Sequence, residues 1–252
     1  MSIQGKVIVI TGAARGIGQE YALSFGAAGA RIVATDISDC SATLDLIRKA
    51  GGDAIAVTLD VADAASAVAM AKAANSAFGR IDGLVNNAAL YATVRGGRFD
   101  SIAEADWDAV MSINVKGVWN CCKAVVPVMR QNGGGSIVNI SSLAATYGMP
   151  FGLHYTTSKA AVIGLTRGLA RELGRDGIRV NAVAPGTVLT DATRQFFGQK
   201  FEKAVDRIRS DQTIQRSLVP ADLVGTVMWL LSDGSSFVTG QTISVDGGTV
   251  MH

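Results

Sequence analysis

The chain has 252 residues, of which 48% are hydrophobic and 17% are charged, so a disordered polypeptide is excluded. Its formal net charge of +2 gives no argument for binding nucleic acid or an anionic membrane, and no basic stripe interleaved with aromatic residues is present. Three cysteines cannot all pair and only two histidines occur, so we expect reduced thiols, a cytoplasmic location and no catalytic metal ion.

Apolar runs alternate with longer helical segments along the chain. The first strand-like run begins at Val7, which leaves no room for a targeting segment, and no run is long enough to span a membrane. The candidate strands are VIVIT, RIVATD, AIAVTLD, GLVNNA, SIVNIS, RVNAVA and TISVD. Helix-length pieces separate most of them, which predicts a Rossmann-like, doubly wound α/β fold with about seven mainly parallel strands and helices on both faces. No linker or repeat interrupts this pattern, so we expect one domain over residues 1–252.

A glycine-rich turn, TGAARGIG, directly follows the first candidate strand. Gly12 allows a tight exit from the strand, while Gly16 and Gly18 let backbone amides and a helix amino terminus approach a pyrophosphate. The second strand ends about twenty residues later at Asp36, where a dinucleotide fold places the acid that binds the adenosine ribose. An ordinary loop and a turn-forming Asp would explain each signal alone. Together they predict a dinucleotide site.

Tyr155 and Lys159 are four residues apart in HYTTSKAAVIGLTRGLAREL, which has the pattern of one long helix. Residues at this spacing share a helix face, with Cβ atoms about 5–6 Å apart. A phenol with an ordinary pKa near ~10 transfers protons poorly at neutral pH, but an adjacent ammonium favours the phenolate. Tyr155 is therefore a candidate general acid and base, and Ser142 a candidate holder of the substrate oxygen. A packed aromatic beside a solvated amine would explain the pair alone, but the glycine turn favours an oxidoreductase.

These motifs resemble those of the short-chain dehydrogenase/reductase family, and the resemblance runs from about Gly5 to the carboxyl terminus. Further matching motifs are Asp60-Val61, NNAA from Asn86 to Ala89, Asn114 in SINVKG, and PGTVLT from Pro185 to Thr190. Ala89 departs from the family, which usually has glycine there, but no catalytic residue is missing.

The resemblance implies a role for each matched residue. Ser142 would position the substrate oxygen and Tyr155 would transfer the proton. Lys159 would hold the nicotinamide ribose and lower the tyrosine pKa, and Asn114 would hold a water in the proton relay. The implied cofactor contacts are Gly12, Arg15, Gly16, Ile17, Gly18, Asp36, Asp60, Val61, Asn87, Ala88, Tyr155, Lys159, Val188 and Thr190. The expected substrate contacts are Ser142, Ala144, His154, Tyr155, Phe196 and Phe197.

Asp36 favours NAD as the cofactor. Its carboxylate can accept from both ribose hydroxyls and would face a 2′-phosphate with like charge. Arg15 occupies a position where NADP-preferring members often carry a basic residue. We interpret it as a group near the phosphates or a contributor to surface charge.

Two segments are expected to face the substrate. The amphipathic stretch from Thr187 to Ser217 lies where the family keeps its substrate lid, and it contains Phe196 and Phe197. The second stretch is LYATVRGGRFD, whose Arg95 and Arg98 are suited to a carboxylate or phosphate. A solvated loop is the favoured interpretation of this second stretch.

The predicted function is NAD-dependent interconversion of a secondary alcohol and a ketone, with an aromatic or cyclic substrate suggested by HY before TTSK and by the ending VDGGTVMH. The alternatives are a 3-oxoacyl thioester reductase, a sugar or polyol dehydrogenase, and a non-catalytic dinucleotide sensor. The resemblance also implies a homotetramer in which the helices containing Asn114 and Tyr155 pack across one two-fold axis and the tail across another. Full burial of these helices within one subunit is the alternative.

Overall fold

A computed structural model describes residues 2–251, and its strands form one parallel sheet in the order β3-β2-β1-β4-β5-β6-β7. The strands are β1 (Val7–Thr11), β2 (Arg31–Asp36), β3 (Asp53–Thr58), β4 (Gly83–Asn86), β5 (Gly135–Ile140), β6 (Ile178–Pro185) and β7 (Thr242–Val245). The helices are α1 (Gly16–Ala27), α2 (Ser41–Lys49), α3 (Ala64–Phe78), α4 (Glu104–Met111), α5 (Gly117–Gln131), α6 (Ala144–Tyr147), α7 (Leu153–Leu173), α8 (Asp191–Phe197), α9 (Phe201–Asp211) and α10 (Ala221–Leu231). The predicted doubly wound α/β fold is confirmed.

Each face of the sheet carries its own apolar core, because successive side chains of a strand point to opposite sides. Ile8 and Ile10 of β1 pack with α1, α2 and α10, while Val7 and Val9 pack with α3, α5 and α7. All four side chains are fully buried. A strand that is apolar at every position therefore has to lie in the middle of a sheet covered on both faces.

Local sequence signals set the bounds of α3. The Asp63 carboxylate caps its start by accepting a hydrogen bond from Ala65 N at 2.9 Å. The helix ends at Gly79, which adopts the left-handed conformation at φ 73° and donates to Asn75 O at 2.7 Å. Helix α7 is 21 residues long and begins directly before the predicted Tyr and Lys pair. It has no side-chain cap at its start and no left-handed glycine at its end.

The chain order reverses between β1 and β4, which are neighbours in the sheet although two strands separate them in sequence. Loops after these strands run in opposite directions, so a crevice opens at the carboxyl ends of the strands, where this class of sheet binds its ligands. Gly12, Asn87, Ser142 and Val188 all follow strands of this sheet, and they lie at this edge.

Residues 187–217, called the cover segment below, leave the sheet after β6 and carry α8 and α9. The two ends of the segment meet, because Val188 forms a parallel bridge with Leu218 and Leu189 N donates to Leu218 O at 2.8 Å. Val205 and Phe201 of α9 are buried, whereas most charged side chains of α9 face solvent. The cover segment therefore forms a flap with a closed base and one apolar side.

Cys40, Cys121 and Cys122 are buried free thiols. The two adjacent cysteines of α5 belong to the core between α3, α5 and the sheet. Over residues 2–251, no helix has the length and apolar character needed to cross a membrane. The same part of the chain holds no cluster of three His, Cys, Asp or Glu side chains that could bind a metal ion.

Candidate active site

The glycine turn joins β1 to α1 in the way the sequence predicts. Gly12 and Gly16 adopt left-handed conformations, at φ 70° and 60°. Gly18 packs so closely on Gly12 that a Cβ would collide with the Gly12 carbonyl and lie 2.6 Å from Asn87 Nδ2. Arg15, in an extended conformation before the helix, gives α1 no side-chain cap. The first-turn amides of α1 are therefore available to a phosphate.

Asp36 at the end of β2 points back to this turn. One carboxylate oxygen accepts from Ala14 N at 3.1 Å, and the other accepts from Ser38 N at 2.9 Å. Each oxygen keeps lone pairs for another donor. The next residue, Ile37, is 70% exposed. Because isoleucine is uncharged, it supplies no positive charge beside the carboxylate.

Asp60 and Val61 follow β3, which ends two residues earlier than the sequence predicts. The chain turns here because Asp60 Oδ1 accepts from Ala62 N at 2.9 Å and Asp60 N donates to Ser66 Oγ at 3.1 Å. Val61 is buried, and its carbonyl accepts from Asn120 Nδ2 at 2.9 Å. Hydrogen bonds with side chains of α3 and α5 therefore fix the positions of Asp60 and Val61, two of the predicted cofactor contacts.

Asn87 and Ala88 connect the ends of β1 and β4 across the crevice. The Thr11 hydroxyl accepts from Asn87 N at 3.0 Å and from Ala88 N at 2.9 Å. The Asn87 side chain donates to Thr11 O at 2.9 Å and Gly12 O at 3.2 Å. The structure thus brings both predicted residues to the glycine turn.

Tyr155 and Lys159 share the inner face of α7, against the carboxyl end of β5. Lys159 Nζ donates to Ile140 O at 2.8 Å and lies 5.8 Å from the centre of the Tyr155 ring. The Ser141 hydroxyl holds the other side of this lysine by donating to its carbonyl at 2.8 Å. Ser142 follows directly and remains partly exposed. Main-chain contacts between β5 and α7 therefore bring the three predicted catalytic side chains together.

Burial decides the proton affinities of this cluster. Burial raises the pKa of Tyr155 above its ordinary range, the nearby Tyr91 raises it further, and the Ser142 hydroxyl opposes the rise. Burial lowers the pKa of Lys159 to about 8, because its ammonium loses water. The sequence analysis expects Lys159 to lower the pKa of Tyr155. In the protein alone, the pKa of Tyr155 is raised instead. Only the Ser142 hydroxyl opposes the rise, so desolvation of the phenol decides the direction.

Asn114 lies in a π-helical turn, Ser112–Lys116, between α4 and α5. Such turns are frequent at functional sites. Its side chain accepts from Leu90 N at 2.7 Å and donates to Leu90 O at 3.2 Å and Ser158 Oγ at 3.1 Å. Both Nδ2 hydrogens are used in these bonds, and Oδ1 accepts one hydrogen bond, so a water held by Asn114 stays a prediction. Ser158, which the sequence analysis missed, donates in turn to Tyr155 O at 2.7 Å.

Aromatic side chains cover Tyr155. The Tyr91 ring lies 5.4 Å from the Tyr155 ring and stacks on Phe196 at 4.8 Å, with the two planes 18° apart. Phe197 meets Phe196 edge to face at 5.2 Å. Ala144 belongs to the same apolar cluster as Tyr155. The structure therefore joins three predicted substrate residues to Tyr91, which the sequence analysis places in a solvated loop.

The two arginines of that loop are solvated, as the favoured interpretation predicts. Arg95 is exposed, and Arg98 is paired with Asp100 at 3.2 Å in solvent. Tyr91 differs because it follows the end of β4 by only a few residues, where the chain still lies against the site. The sequence signal for Tyr91 was its place near the start of LYATVRGGRFD, directly after the strand and the NNAA motif.

His154 directly precedes Tyr155 in α7. Its side chain is fully buried at the start of α7, and neither ring nitrogen has a hydrogen-bond partner within the described part of the chain. Burial lowers the pKa of His154, and the nearby Asp106 carboxylate works in the opposite direction. A substrate contact through His154 stays a prediction.

Val188 and Thr190 bring the start of the cover segment to the glycine turn. The Thr190 methyl group lies 3.9 Å from the position that a Cβ on Gly16 would take. Thr190 caps α8 by accepting from Thr193 N at 3.2 Å, and the Thr193 hydroxyl donates to Val188 O at 2.6 Å. The predicted nicotinamide contacts thus lie between the phosphate turn and the aromatic cover.

Comparisons with known proteins match the chain over nearly its full length. A family model described as enoyl-(acyl carrier protein) reductase matches residues 12–250. The chain is 42% identical over 255 residues to a 3-oxoacyl-[acyl-carrier-protein] reductase of Thermotoga maritima, with 100% of both chains covered. The chain belongs to the short-chain dehydrogenase/reductase family. The resemblance found in the sequence is confirmed.

Two further family members act on ring-bearing compounds by name. One is a subunit of (2S)-[(R)-hydroxy(phenyl)methyl]succinyl-CoA dehydrogenase of Thauera aromatica, 40% identical over 250 residues with 98% of each chain covered. The other is a solved 7α-hydroxysteroid dehydrogenase complexed with NADH and 7-oxoglycochenodeoxycholic acid. It has a TM-score of 0.92, 35% identity, and coverage of 100% of this chain and 96% of that chain. As a family member, the protein is an oxidoreductase that uses a nicotinamide dinucleotide.

The glycine turn fits such a cofactor on its own geometry. The amide-lined start of α1 has no side-chain cap, and Gly16 leaves open the space that a Cβ would fill. Asp36 lies beside the turn with acceptor capacity to spare. Phosphates and ribose hydroxyls are the groups that this combination of donors and acceptors suits.

Proposed function

We propose that the protein interconverts secondary alcohols and ketones with NAD(H), and that Tyr155 transfers the proton. The observation that carries this proposal is the meeting of Tyr155, Lys159 and Ser142 at the carboxyl end of β5, beside the glycine turn. A non-catalytic sensor would need the turn and Asp36 but not this buried catalytic group.

In this proposal the start of α1, with Gly12, Gly16 and Gly18, holds the pyrophosphate and Asp36 holds the adenosine ribose. Lys159 holds the nicotinamide ribose through its ammonium. When bound, the nicotinamide supplies the hydride acceptor for an alcohol or the hydride donor for a ketone. In this proposal Val188 and Thr190 contact its carboxamide, and the proximity of the Thr190 methyl group to Gly16 supports this assignment.

The residues of the chain handle the oxygen and the proton. Ser142 hydrogen-bonds the substrate oxygen, which places that oxygen beside the Tyr155 hydroxyl. In the reducing direction Tyr155 donates its proton to the oxygen as the carbonyl becomes an alcohol, and in the oxidising direction it accepts the proton. The burial that raises the pKa of Tyr155 keeps the phenol protonated, which is the form that the reducing direction requires. The nearby positive charge needed for the base form comes from Lys159 and the oxidised cofactor.

NAD is the proposed cofactor because Asp36 occupies the position that a 2′-phosphate of NADP would approach. Both carboxylate oxygens are fixed by main-chain amides, so the side chain cannot turn away without losing two hydrogen bonds. Like charges in a partly desolvated cleft repel. The related 7α-hydroxysteroid dehydrogenase structure contains NADH, which supports the same choice.

The proposed substrate is an aromatic or cyclic secondary alcohol or its ketone. The stacked rings of Tyr91 and Phe196 beside Tyr155 give the pocket an apolar, aromatic wall. The names of the Thauera enzyme, which includes a phenyl group, and of the steroid dehydrogenase support a ring-bearing substrate. A 3-oxoacyl thioester reductase is the second candidate, favoured by 42% identity to the Thermotoga enzyme over the full chain.

The test is turnover of a substrate panel with NAD and with NADP, followed by absorbance of the reduced cofactor. The panel contains arylalkyl, cyclic and linear secondary alcohols, a polyol and a 3-hydroxyacyl thioester, and the matched control is Tyr155→Phe. Fastest turnover of a ring-bearing alcohol with NAD would support the proposal, and fastest turnover of the thioester would replace it with the second candidate. Cofactor binding without turnover of any class would favour the sensor.

We further propose a cytoplasmic homotetramer with residues 187–217 acting as a lid. Exposed apolar side chains on α5 and at the start of α7, Trp119 at 47% and Leu153 at 43%, support one subunit interface. The open edge of β7 and the exposed Met251 support a second. His252, part of the predicted tail interface, lies outside the described residues. A monomer in light scattering at micromolar concentration would overturn this assembly.

A further inference from the structure

Tyr91 has an unusual position for a loop residue. Its ring lies between Tyr155, 5.4 Å away, and Phe196, 4.8 Å away, so it touches both the proposed proton donor and the cover segment. A substrate whose oxygen reaches the Tyr155 hydroxyl would therefore lie close to this ring. Tyr91 is therefore placed to discriminate among substrates without taking part in proton transfer.

The backbone holds Tyr91 firmly. The preceding residue, Leu90, is bound through both its N–H and its carbonyl by Asn114, at 2.7 and 3.2 Å. The Tyr91 carbonyl accepts from Val94 N at 3.1 Å, and Val94 is itself buried. Asn114 also bonds to Ser158 of α7, so the position of Tyr91 is fixed relative to Tyr155.

Phe196 is held differently. It lies on α8, a helix of seven residues, and it is only partly buried. The cover segment that carries it is closed at its base by Val188 and Leu218. Phe196 is therefore held by ring contacts on a short helix, while Tyr91 is held by main-chain hydrogen bonds. Together the two rings form an aromatic wall beside Tyr155.

We propose that Tyr91 and Phe196 are specificity-determining residues that select ketones whose carbonyl carbon lies in, or is bonded directly to, a flat ring. The inference rests on the proposed function and names the substrate class of that site. A flat ring offers its face or edge to both side chains while its carbonyl reaches Tyr155. A linear chain of equal carbon number makes no such aromatic contact and loses more conformational freedom on binding.

The experiment compares kcat/KM for an aryl methyl ketone and a linear methyl ketone with the same number of carbons. The intact enzyme should prefer the aryl ketone, and Tyr91→Leu and Phe196→Leu should each reduce this preference by about 3- to 10-fold, the size of one aromatic contact. Tyr91→Phe should keep the preference, because it keeps the ring and removes only the hydroxyl. Phe237→Leu is the second control, because Phe237 is a fully exposed aromatic side chain after α10 and does not belong to the cluster around Tyr155.

The outcomes separate the inference from the function on which it rests. Turnover of both ketones with a preference that Tyr91→Leu and Phe196→Leu leave unchanged would overturn the inference alone. No turnover of any ketone or alcohol would overturn the proposed function and the inference with it. Loss of preference in Tyr91→Phe would reassign discrimination from the ring to the hydroxyl and would also overturn the inference.

Discussion

Around the glycine turn, site residues are fixed by main-chain hydrogen bonds, whereas in the cover segment they are fixed by contacts between aromatic side chains. Asp36 is held by two amides, and Asn87 bridges the ends of two strands. Phe196 and Phe197, in contrast, are held by ring contacts at 4.8 and 5.2 Å on a short helix. In the proposed function, the first region holds the cofactor and the second lines the substrate pocket, so we expect substitutions in the second to change substrate preference.

The test with the largest expected effect removes the proposed proton carrier, Tyr155 of α7. Tyr155→Phe should reduce kcat by about 10²–10⁴-fold, because general acid and base groups contribute that much and the change removes little volume. Cofactor affinity, measured by titration calorimetry, should stay near that of the intact protein. Near-normal turnover by the folded variant would show that the proton takes another route.

The next test fills the tight contact in the glycine turn. Gly18→Ala should destabilise the fold by about 1–3 kcal/mol and weaken cofactor binding, since its Cβ would collide with the Gly12 carbonyl. Thermal denaturation with and without NAD measures both effects. Gly225→Ala is the matched control, because nothing lies within 4 Å of its added Cβ. Equal melting temperatures for the two variants would contradict a tightly packed turn.

The next prediction concerns the preference for NAD over NADP, and its expected effect is similar to or smaller than that of Gly18→Ala. Asp36→Ser with Ile37→Arg should move the ratio of catalytic efficiencies towards NADP by about ten- to a hundredfold, equal to one or two units of ~1.4 kcal/mol. The double change removes the like charge and supplies a partner for the 2′-phosphate. Steady-state kinetics with both cofactors checks it. An intact enzyme that already uses NADP as well as NAD would refute Asp36 as the selector.

The smallest expected effect concerns His154. The folded protein holds this group with a lowered pKa, so its unfolded form binds protons first as the pH falls. Its contribution to stability is therefore complete above about pH 6.5 and is lost below it, at no more than about 1.4 kcal/mol per pH unit.

His154→Phe should consequently show a flatter decline in melting temperature between about pH 7 and pH 5 than the intact protein. Carboxylates with lowered pKa values, such as Asp222 and Asp233, are present in both proteins and serve as an internal reference. Parallel profiles would mean that His154 gains a partner or solvent access in solution.

The two regions also differ in how well the sequence predicts them. Strand patterns such as VIVIT and the spacing of Tyr155 and Lys159 are local signals, so they predicted the fold and the meeting of the catalytic side chains. Tyr91 was missed because its contacts join a loop to a flap about a hundred residues away in the chain. The raised pKa of Tyr155 was missed because it depends on how completely the surrounding elements exclude water.

The buried thiols have a practical consequence. Burial raises the pKa of Cys122 to about 12 and that of Cys40 to about 11, and it raises the pKa of Cys121 as well. Alkylating reagents attack thiolates, which are scarce and shielded here as long as the fold is intact. The rate of alkylation in native buffer therefore reports how often the protein opens. The three cysteines give a measure of unfolding that needs no added label.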